Sequence, residues 1–185
     1  MDDYFFGYGS LVNRSTHHYP EASLARLAGW RRVWCLTDQR PEAFLSVRRD
    51  PATTIDGLIA AVPQRDWQAL DLRETGYLRH PVTEAVQHAL PTPPQVQVYA
   101  IPDASIPGHG GHILLSYLDV VVQGFLQCYG PAGAAAFFAT TDGWDRVILD
   151  DRANPLYPRH RVLTDAERAV VDTALTGVPA VLKPL

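Results

Sequence analysis

Phe5-Phe6-Gly7-Tyr8-Gly9-Ser10-Leu11, at the front of the chain, is the stretch on which the reading of the fold turns. Tyr4 to Phe6 reads as a short apolar strand, and Gly7 and Gly9 remove side-chain bulk on either side of Tyr8. Glycine lets a ligand come close to the main chain and adopts backbone angles that other residues avoid. A strand running into such a loop can aim successive N–H groups at one spot, which makes an anion-binding nest. A strand followed by a plain turn would leave the same residues, so the loop alone does not define a function.

A second segment, Leu70-Asp71-Leu72-Arg73-Glu74-Thr75-Gly76-Tyr77-Leu78-Arg79, changes the balance. A Tyr-Gly-Ser-Leu loop followed later by an isolated Glu ahead of Tyr-x-Arg resembles the gamma-glutamylcyclotransferase family, whose superfamily includes AIG2-like and ChaC-like proteins. Leu27-Ala28-Gly29-Trp30-Arg31-Arg32 looks like that family's second strand. The resemblance implies a catalytic Glu74 and substrate contacts from Gly7, Tyr8, Gly9, Ser10, Leu11 and Tyr77. It implies a small-molecule γ-glutamyl substrate, with no cofactor and no metal. The chain departs from the family in two places. Many relatives place the Glu one residue further from the Tyr than Glu74 is from Tyr77, and the chain continues well past the compact AIG2-like core.

At 185 residues the chain fits one domain and is long enough to bury a core. The expected division is a strand-rich part up to about residue 102 and a helical part from about residue 112. A net charge of -4 gives no electrostatic case for nucleic acid or an anionic membrane. No run approaches the ~20 apolar residues of a membrane span. Met1-Asp2-Asp3-Tyr4 lacks the basic start of a signal peptide, and Cys35 and Cys128 sit in apolar surroundings. Together these lead to the expectation of a cytoplasmic protein with buried thiols.

Along the chain, Ser23 to Leu36 reads as a long strand bent at Gly29. Phe44 to Val47 and Thr54 to Val62 read as two further strands, with Arg48-Arg49-Asp50-Pro51 turning the chain between them. This is the spacing of an antiparallel meander or barrel. Pro63 to Arg73 reads as a helix that puts Trp67, Leu70, Asp71 and Glu74 on one face, with Gly76 just past its end. Strands follow at Tyr77 to Glu84 and Val96 to Ile101, separated by Pro91-Thr92-Pro93-Pro94. Helices are expected over Ile113 to Tyr129, Ala132 to Thr140 and Asp165 to Leu175, the last opened by a Thr164/Glu167 capping box. The fold class is α+β: a small mixed or antiparallel β-barrel or sheet with helices around it.

Glu74 carries the chemical expectation. It shares a helical face with Trp67 and Leu70, so it points inward, and it lies where the helix dipole disfavours a negative charge. Both effects raise its pKa and suit it to accept and return a proton. A Glu paired with Arg73 or Arg79 in solvent is the competing reading.

In the reaction that the resemblance implies, the substrate's own α-amine attacks its γ-carbonyl. The attack closes 5-oxoproline and expels an amine, so the protein needs no nucleophile of its own. Glu74 would move the proton, and the amides around Gly9, Ser10 and Leu11 would hold the substrate carboxylate or the oxyanion. A non-catalytic protein binding a small carboxylate or peptide end is the alternative, and an enzyme acting on another amide is a third reading. Ser10 lacks a hydrolase elbow, and His109-Gly110-Gly111-His112 lacks nearby metal-ligand partners. His17-His18 is expected on the surface. Asp150 to Arg159 is either a salt-bridged surface loop or a lid or wall that reads the substrate's leaving group.

Overall fold

The computed structural model describes residues 2–37, 40–92, 94–102 and 111–185. Strand β1 (Asp3–Gly7) lies between two neighbours, antiparallel to β3 (Arg40–Val62) and parallel to β6 (Val96–Ala100). Both faces of a central strand are covered, so it reads as a continuous apolar run rather than an alternating one. Accordingly Tyr4, Phe5 and Phe6 are all buried, and so are Leu58 to Val62 opposite them.

β2 (Ser23–Thr37) and β3 form a long antiparallel hairpin. β2 runs unbroken through the expected bend: Gly29 has φ +77° at a register shift between Ala28 and Trp30. The expected turn at Arg48 to Pro51 is not a turn. Ala28 pairs with Thr54 and Trp30 with Arg49, so Asp50 to Thr53 stand opposite Gly29 as a bulge within one strand. Asp50 closes the bulge by accepting from the Ala52 N–H (3.1 Å) and the Thr53 hydroxyl (2.6 Å). Turn chemistry is present, but β2 is long enough to pair with both flanks, and Pro51 sits where no ladder donor is needed.

The strand expected at Tyr77 to Glu84 ends early, at Pro81, and a separate strand follows beyond its expected end. β4 (Leu78–Pro81) pairs with β6, a 3-10 turn follows at Thr83–Ala85, and β5 (Val86–His88) pairs with β2. This part of the sheet therefore runs β5-β2-β3-β1-β6-β4. One short segment spans both its edges and curls it without closing a barrel; the sheet is open. Three further strands extend it from the upper half of β3: β7 (His112–Leu114), β9 (Val147–Asp150) and β10 (Val181–Pro184). β8 (Thr141–Asp142) adds to β2, giving ten strands in one mixed sheet among the described residues.

Three α-helices are present among the described residues. α1 (Gln68–Arg73) is shorter than the helix expected over Pro63 to Arg73. Gln64 and Arg65 have positive φ, and Asp2 holds the Gln64 N–H at 3.0 Å, so a 3-10 turn precedes the helix proper.

α2 (Leu115–Ala139) joins the two expected helices across a break at Gly130, whose φ of +68° favours glycine, followed by Pro131. It starts at Leu115 because His112 to Leu114 are used by β7. α2 lies in the core, with Leu115, Leu118, Val121, Val122 and Phe125 fully buried. α3 (Asp165–Leu175) carries the expected capping box, with Glu167 N–H to Thr164 Oγ1 at 3.2 Å and Thr164 N–H to Glu167 Oε2 at 2.8 Å. No helix among the described residues is long and apolar enough to cross a membrane.

Candidate active site

The loop after β1 is seated from below and from the side. Gly9 opens a 3-10 turn, Ser10–Val12, in which the Val12 N–H is tied back to the Gly9 carbonyl at 2.9 Å. Fully buried Asn13 then docks the loop on α2, donating to the Val120 carbonyl and to Gln123 Oε1, both at 3.0 Å. His17, expected at the surface, is buried beneath the loop, while its neighbour His18 is exposed. Its Nε2 lies 3.0 Å from the Leu11 carbonyl and its Nδ1 accepts the Tyr19 N–H at 3.2 Å. The 3-10 turn at Arg14–Thr16 folds the chain back to place it there. Burial pushes the imidazole down to about 4, so it is neutral at physiological pH, with the proton on Nε2 to serve Leu11.

All seven residues singled out in the sequence line one recess: Gly7, Tyr8, Gly9, Ser10, Leu11, Glu74 and Tyr77. Leu45 of β3, Tyr99 of β6 and Tyr117 of α2 complete it. The recess opens into a cleft of about 490 Å³ that shares Ser10, Leu45, Glu74, Tyr77 and Tyr117. The cleft is walled by Phe44, Leu72, Thr75 and the segment Leu156 to Arg159.

Glu74 caps the C-terminal end of α1, with its side chain only 18 % exposed. Arg73 Nε lies 3.2 Å from its Oε1. The same guanidinium reaches the Thr16 carbonyl (3.0 Å), Thr16 Oγ1 (3.2 Å) and Ser10 Oγ (3.3 Å). Arg73 therefore ties the carboxylate to the glycine loop, and neither group is the solvent-exposed ion pair of the competing reading. Burial raises the Glu74 pKa above the ordinary carboxylate range, while Arg73 and Arg159 pull it back.

The tyrosines form the floor. Tyr77 donates to the Leu45 carbonyl at 2.9 Å and Tyr8 to the Tyr99 carbonyl at 2.8 Å. Burial raises both phenols well above their ordinary value, so they stay protonated donors. Burial raises the Tyr117 phenol as well, and the Ser10 backbone and Arg73 pull it back. A Cβ at Gly9 would meet the Tyr117 hydroxyl at 2.9 Å and Leu45 Cδ2 at 3.2 Å. Only glycine leaves the passage between loop and α2 unobstructed.

The 150–159 segment is a wall, and it is held rigidly. Asp151, fully buried, accepts from the Ser116 N–H (2.8 Å), the Ser116 hydroxyl (2.5 Å) and the Leu156 N–H (2.8 Å). Arg152 bridges Asp119 of α2, bidentate at 2.8 Å, and Asp172 of α3 at 2.7 Å. Tyr157 then packs edge-on to Tyr117, with centroids 4.9 Å apart.

Tyr99 and Tyr117 were not marked by the sequence, and Arg73 was marked only as an ion-pair partner of Glu74 in solvent. Arg73 sits next to Glu74, which was the available signal; Tyr99 and Tyr117 lie in apolar runs where nothing distinguishes them from core residues. Of the two histidines in His109-Gly110-Gly111-His112, where no metal site was expected, His109 lies outside the described residues.

A ChaC-like protein family model matches residues 4–138. The chain belongs to the ChaC-like family. The match runs past the end of β6 and through most of α2, so the family likeness extends beyond the part that the sequence motifs cover. Among solved structures, a gamma-glutamyl cyclotransferase superposes with a TM-score of 0.58 at 12 % identity, over 94 % of this chain and 99 % of its own. The protein loc79017 from Homo sapiens gives 0.56 at 14 % identity, over 92 % and 98 %. YkqA from Bacillus subtilis gives 0.52 at 18 %, over 72 % of this chain and 51 % of its own. These likenesses establish a shared mixed α+β fold. A search of curated proteins gave no match.

Proposed function

We propose that the protein is a γ-glutamyl cyclotransferase that releases 5-oxoproline and a free amine or amino acid from a γ-glutamyl amide or peptide. The observation that carries this reading is the convergence of Glu74 and the Gly7–Leu11 loop on one recess, with Arg73 holding both. Family membership supports it. The γ-glutamyl end lies over the tyrosine floor, its carboxylate or its developing oxyanion at the amides of Gly9 to Leu11. Glu74, its pKa raised by burial, takes a proton from the substrate ammonium. The freed amine attacks the γ-carbonyl carbon, the new C–N bond closes the lactam, and the old C–N bond breaks. The proton held by Glu74 passes to the departing nitrogen as its bond breaks, and the second proton, shed by the attacking nitrogen as it becomes the lactam N–H, follows through the same carboxylate, so that the amine leaves as an ammonium. The leaving group occupies the outer cleft against Leu156 to Arg159.

Folding the substrate chain supplies proximity, so no enzyme nucleophile is required. The carboxyl of Glu74 faces the cleft rather than bulk solvent, which favours the enzyme over the non-catalytic binder. Cys35 and Cys128 each keep a thiol aimed at a backbone carbonyl, in line with a cytoplasmic setting. A panel of γ-glutamyl amino acids, peptides and amines assayed for 5-oxoproline tests the proposal. Binding of these compounds with no product from any of them would support the binder instead.

A further inference from the structure

Arg32, in the middle of β2, has no exposed surface. Its Nε donates to the Tyr8 carbonyl at 2.9 Å, its Nη1 to Thr140 Oγ1 at 2.7 Å and its Nη2 to the Asp56 carbonyl. The guanidinium lies over the rings of Phe125 (4.8 Å) and Phe137 (5.3 Å). None of these contacts is a carboxylate. Burying a cation on neutral acceptors is expensive, and apolar packing would join the same strands at less cost. Of its three acceptors, the Tyr8 carbonyl is the one at the site: it belongs to the peptide that begins the glycine loop.

That peptide is trans, as are all the described ones. In a trans peptide the carbonyl and the following N–H point in opposite directions. With the Tyr8 carbonyl turned into the core toward Arg32, the Gly9 N–H is turned away from it. Gly9 lines the recess, and among the described residues no protein acceptor takes its N–H. We propose that Arg32 is a positioning residue of the site: it fixes the Tyr8–Gly9 peptide plane and polarises it, holding the Gly9 N–H as a donor for an anionic group in the recess. A charge-assisted bond to the carbonyl draws electron density from the amide and strengthens its N–H as a donor. The cyclotransferase reading supplies only the identity of the anion, a carboxylate or oxyanion of the γ-glutamyl group. The orientation of the amide does not depend on it.

Arg32→Met, Arg32→Lys and Thr140→Val test this with two readouts. The first is the Gly9 amide resonance in a nitrogen–proton correlation spectrum of the ligand-free protein. The second is the kinetics of 5-oxoproline release across pH. Arg32→Met should move the Gly9 amide proton upfield and speed its exchange, with Arg32→Lys intermediate. kcat/KM should fall about 10- to 100-fold, the range expected when a charge-assisted contact is lost. The acid limb set by Glu74 should stay where it is, because Arg32 acts through Gly9 and not through the carboxyl. If Arg32→Met does not fold, Thr140→Val frees one arm of the guanidinium and should shift the same resonance in the same direction. A folded Arg32→Lys or Thr140→Val with a parental Gly9 resonance and parental kinetics, and only a lower melting temperature, would reduce Arg32 to a structural cation and overturn the proposal. If the parent releases no 5-oxoproline, the cyclotransferase reading fails, while the Gly9 resonance still decides the role of Arg32.

Discussion

Replacing Glu74 by Gln keeps the volume of the side chain and leaves an Oε1 to accept from Arg73 Nε, now 3.2 Å away. What it removes is the ability to take a proton. General acid–base groups contribute ~10²–10⁴-fold, so turnover should fall by that factor, equivalent to about 2.7–5.4 kcal/mol in the barrier. The effect on stability should be far smaller. Arg73 keeps its three other contacts, to the Thr16 carbonyl, Thr16 Oγ1 and Ser10 Oγ. The attraction it loses is offset by relief of a buried carboxylate at the unfavourable end of α1, where burial already outweighs both arginines in setting the pKa. The net change should lie within about 1 kcal/mol, or about 2–4 °C in melting temperature for a chain of this size, and should be zero or favourable. The assay is 5-oxoproline release from the best γ-glutamyl substrate, with a circular-dichroism melt of the same samples. Parental turnover in Glu74→Gln would show that Glu74 is not the base and that the mechanism is wrong. A clear loss of stability with unchanged turnover would return Glu74 to the role of an ion-pair partner.

Other perturbations separate the remaining parts of the site. Gly9→Val should weaken binding of a γ-glutamyl ligand strongly, since its Cβ alone meets Tyr117 Oη at 2.9 Å, whereas Ser10→Ala should do much less; the reverse order in calorimetric affinities would make the hydroxyl, not the amides, the contact. Arg73→Gln removes the nearest cation from a carboxyl that it now holds down, so the acid limb of the kcat profile should move to higher pH, and a limb moving down would contradict the pairing. The raised Glu74 pKa means that its contribution to stability is fully present below the ordinary carboxylate pKa and is lost as pH rises through the folded value; melting temperature across that window should fall in the parent and flatten in Glu74→Gln. Asp151→Ala strands the buried donors of Ser116 and Leu156, so it should cost about 2–4 kcal/mol and raise KM as the Leu156–Arg159 wall loosens, outcomes that a urea melt and steady-state kinetics would each detect.

Much of this site was legible because its chemistry is local. Gly7 and Gly9 strip side-chain bulk from either side of Tyr8, and Glu74 falls on the buried face of a helix whose apolar positions are visible at Trp67 and Leu70. The errors arise where a residue's state depends on a distant partner. Arg48 to Pro51 has the composition of a turn, but it becomes a bulge because β2 continues past Gly29 and captures the chain on both sides. The strand read at Tyr77 to Glu84 is cut short because β6 pairs with it only from Leu78 to Pro81, after which the chain turns at Thr83–Ala85 and gives Val86–His88 to β2. β7 to β10 are two to four residues each, too short to show any period, and exist only because neighbours hold their ladders. His17 looked like a surface residue because nothing near it in sequence announces that the Leu11 carbonyl will lie over it.

The same distinction explains how two weak motifs make one site. In the proposed reaction the glycine loop offers amides but no base, and α1 offers a base but no anion site. β1 fixes the loop at the centre of the sheet, whereas Glu74 is the C-cap of a six-residue helix, where the side chain has the fewest helical neighbours to hold it. Arg73 removes that freedom. Its Nε holds the carboxyl while its Nη atoms hold Ser10 and Thr16, so a planar group with donors in fixed directions sets the spacing of base and amides. A lysine there would carry the same charge but could not span the three partners in one geometry. The arrangement also accounts for burial of the pair: with side-chain exposures of 9 % and 18 %, the two charges are retained where apolar packing would be cheaper. What the buried pair supplies is a carboxyl whose pKa is displaced by burial and whose position is set by the loop it works with.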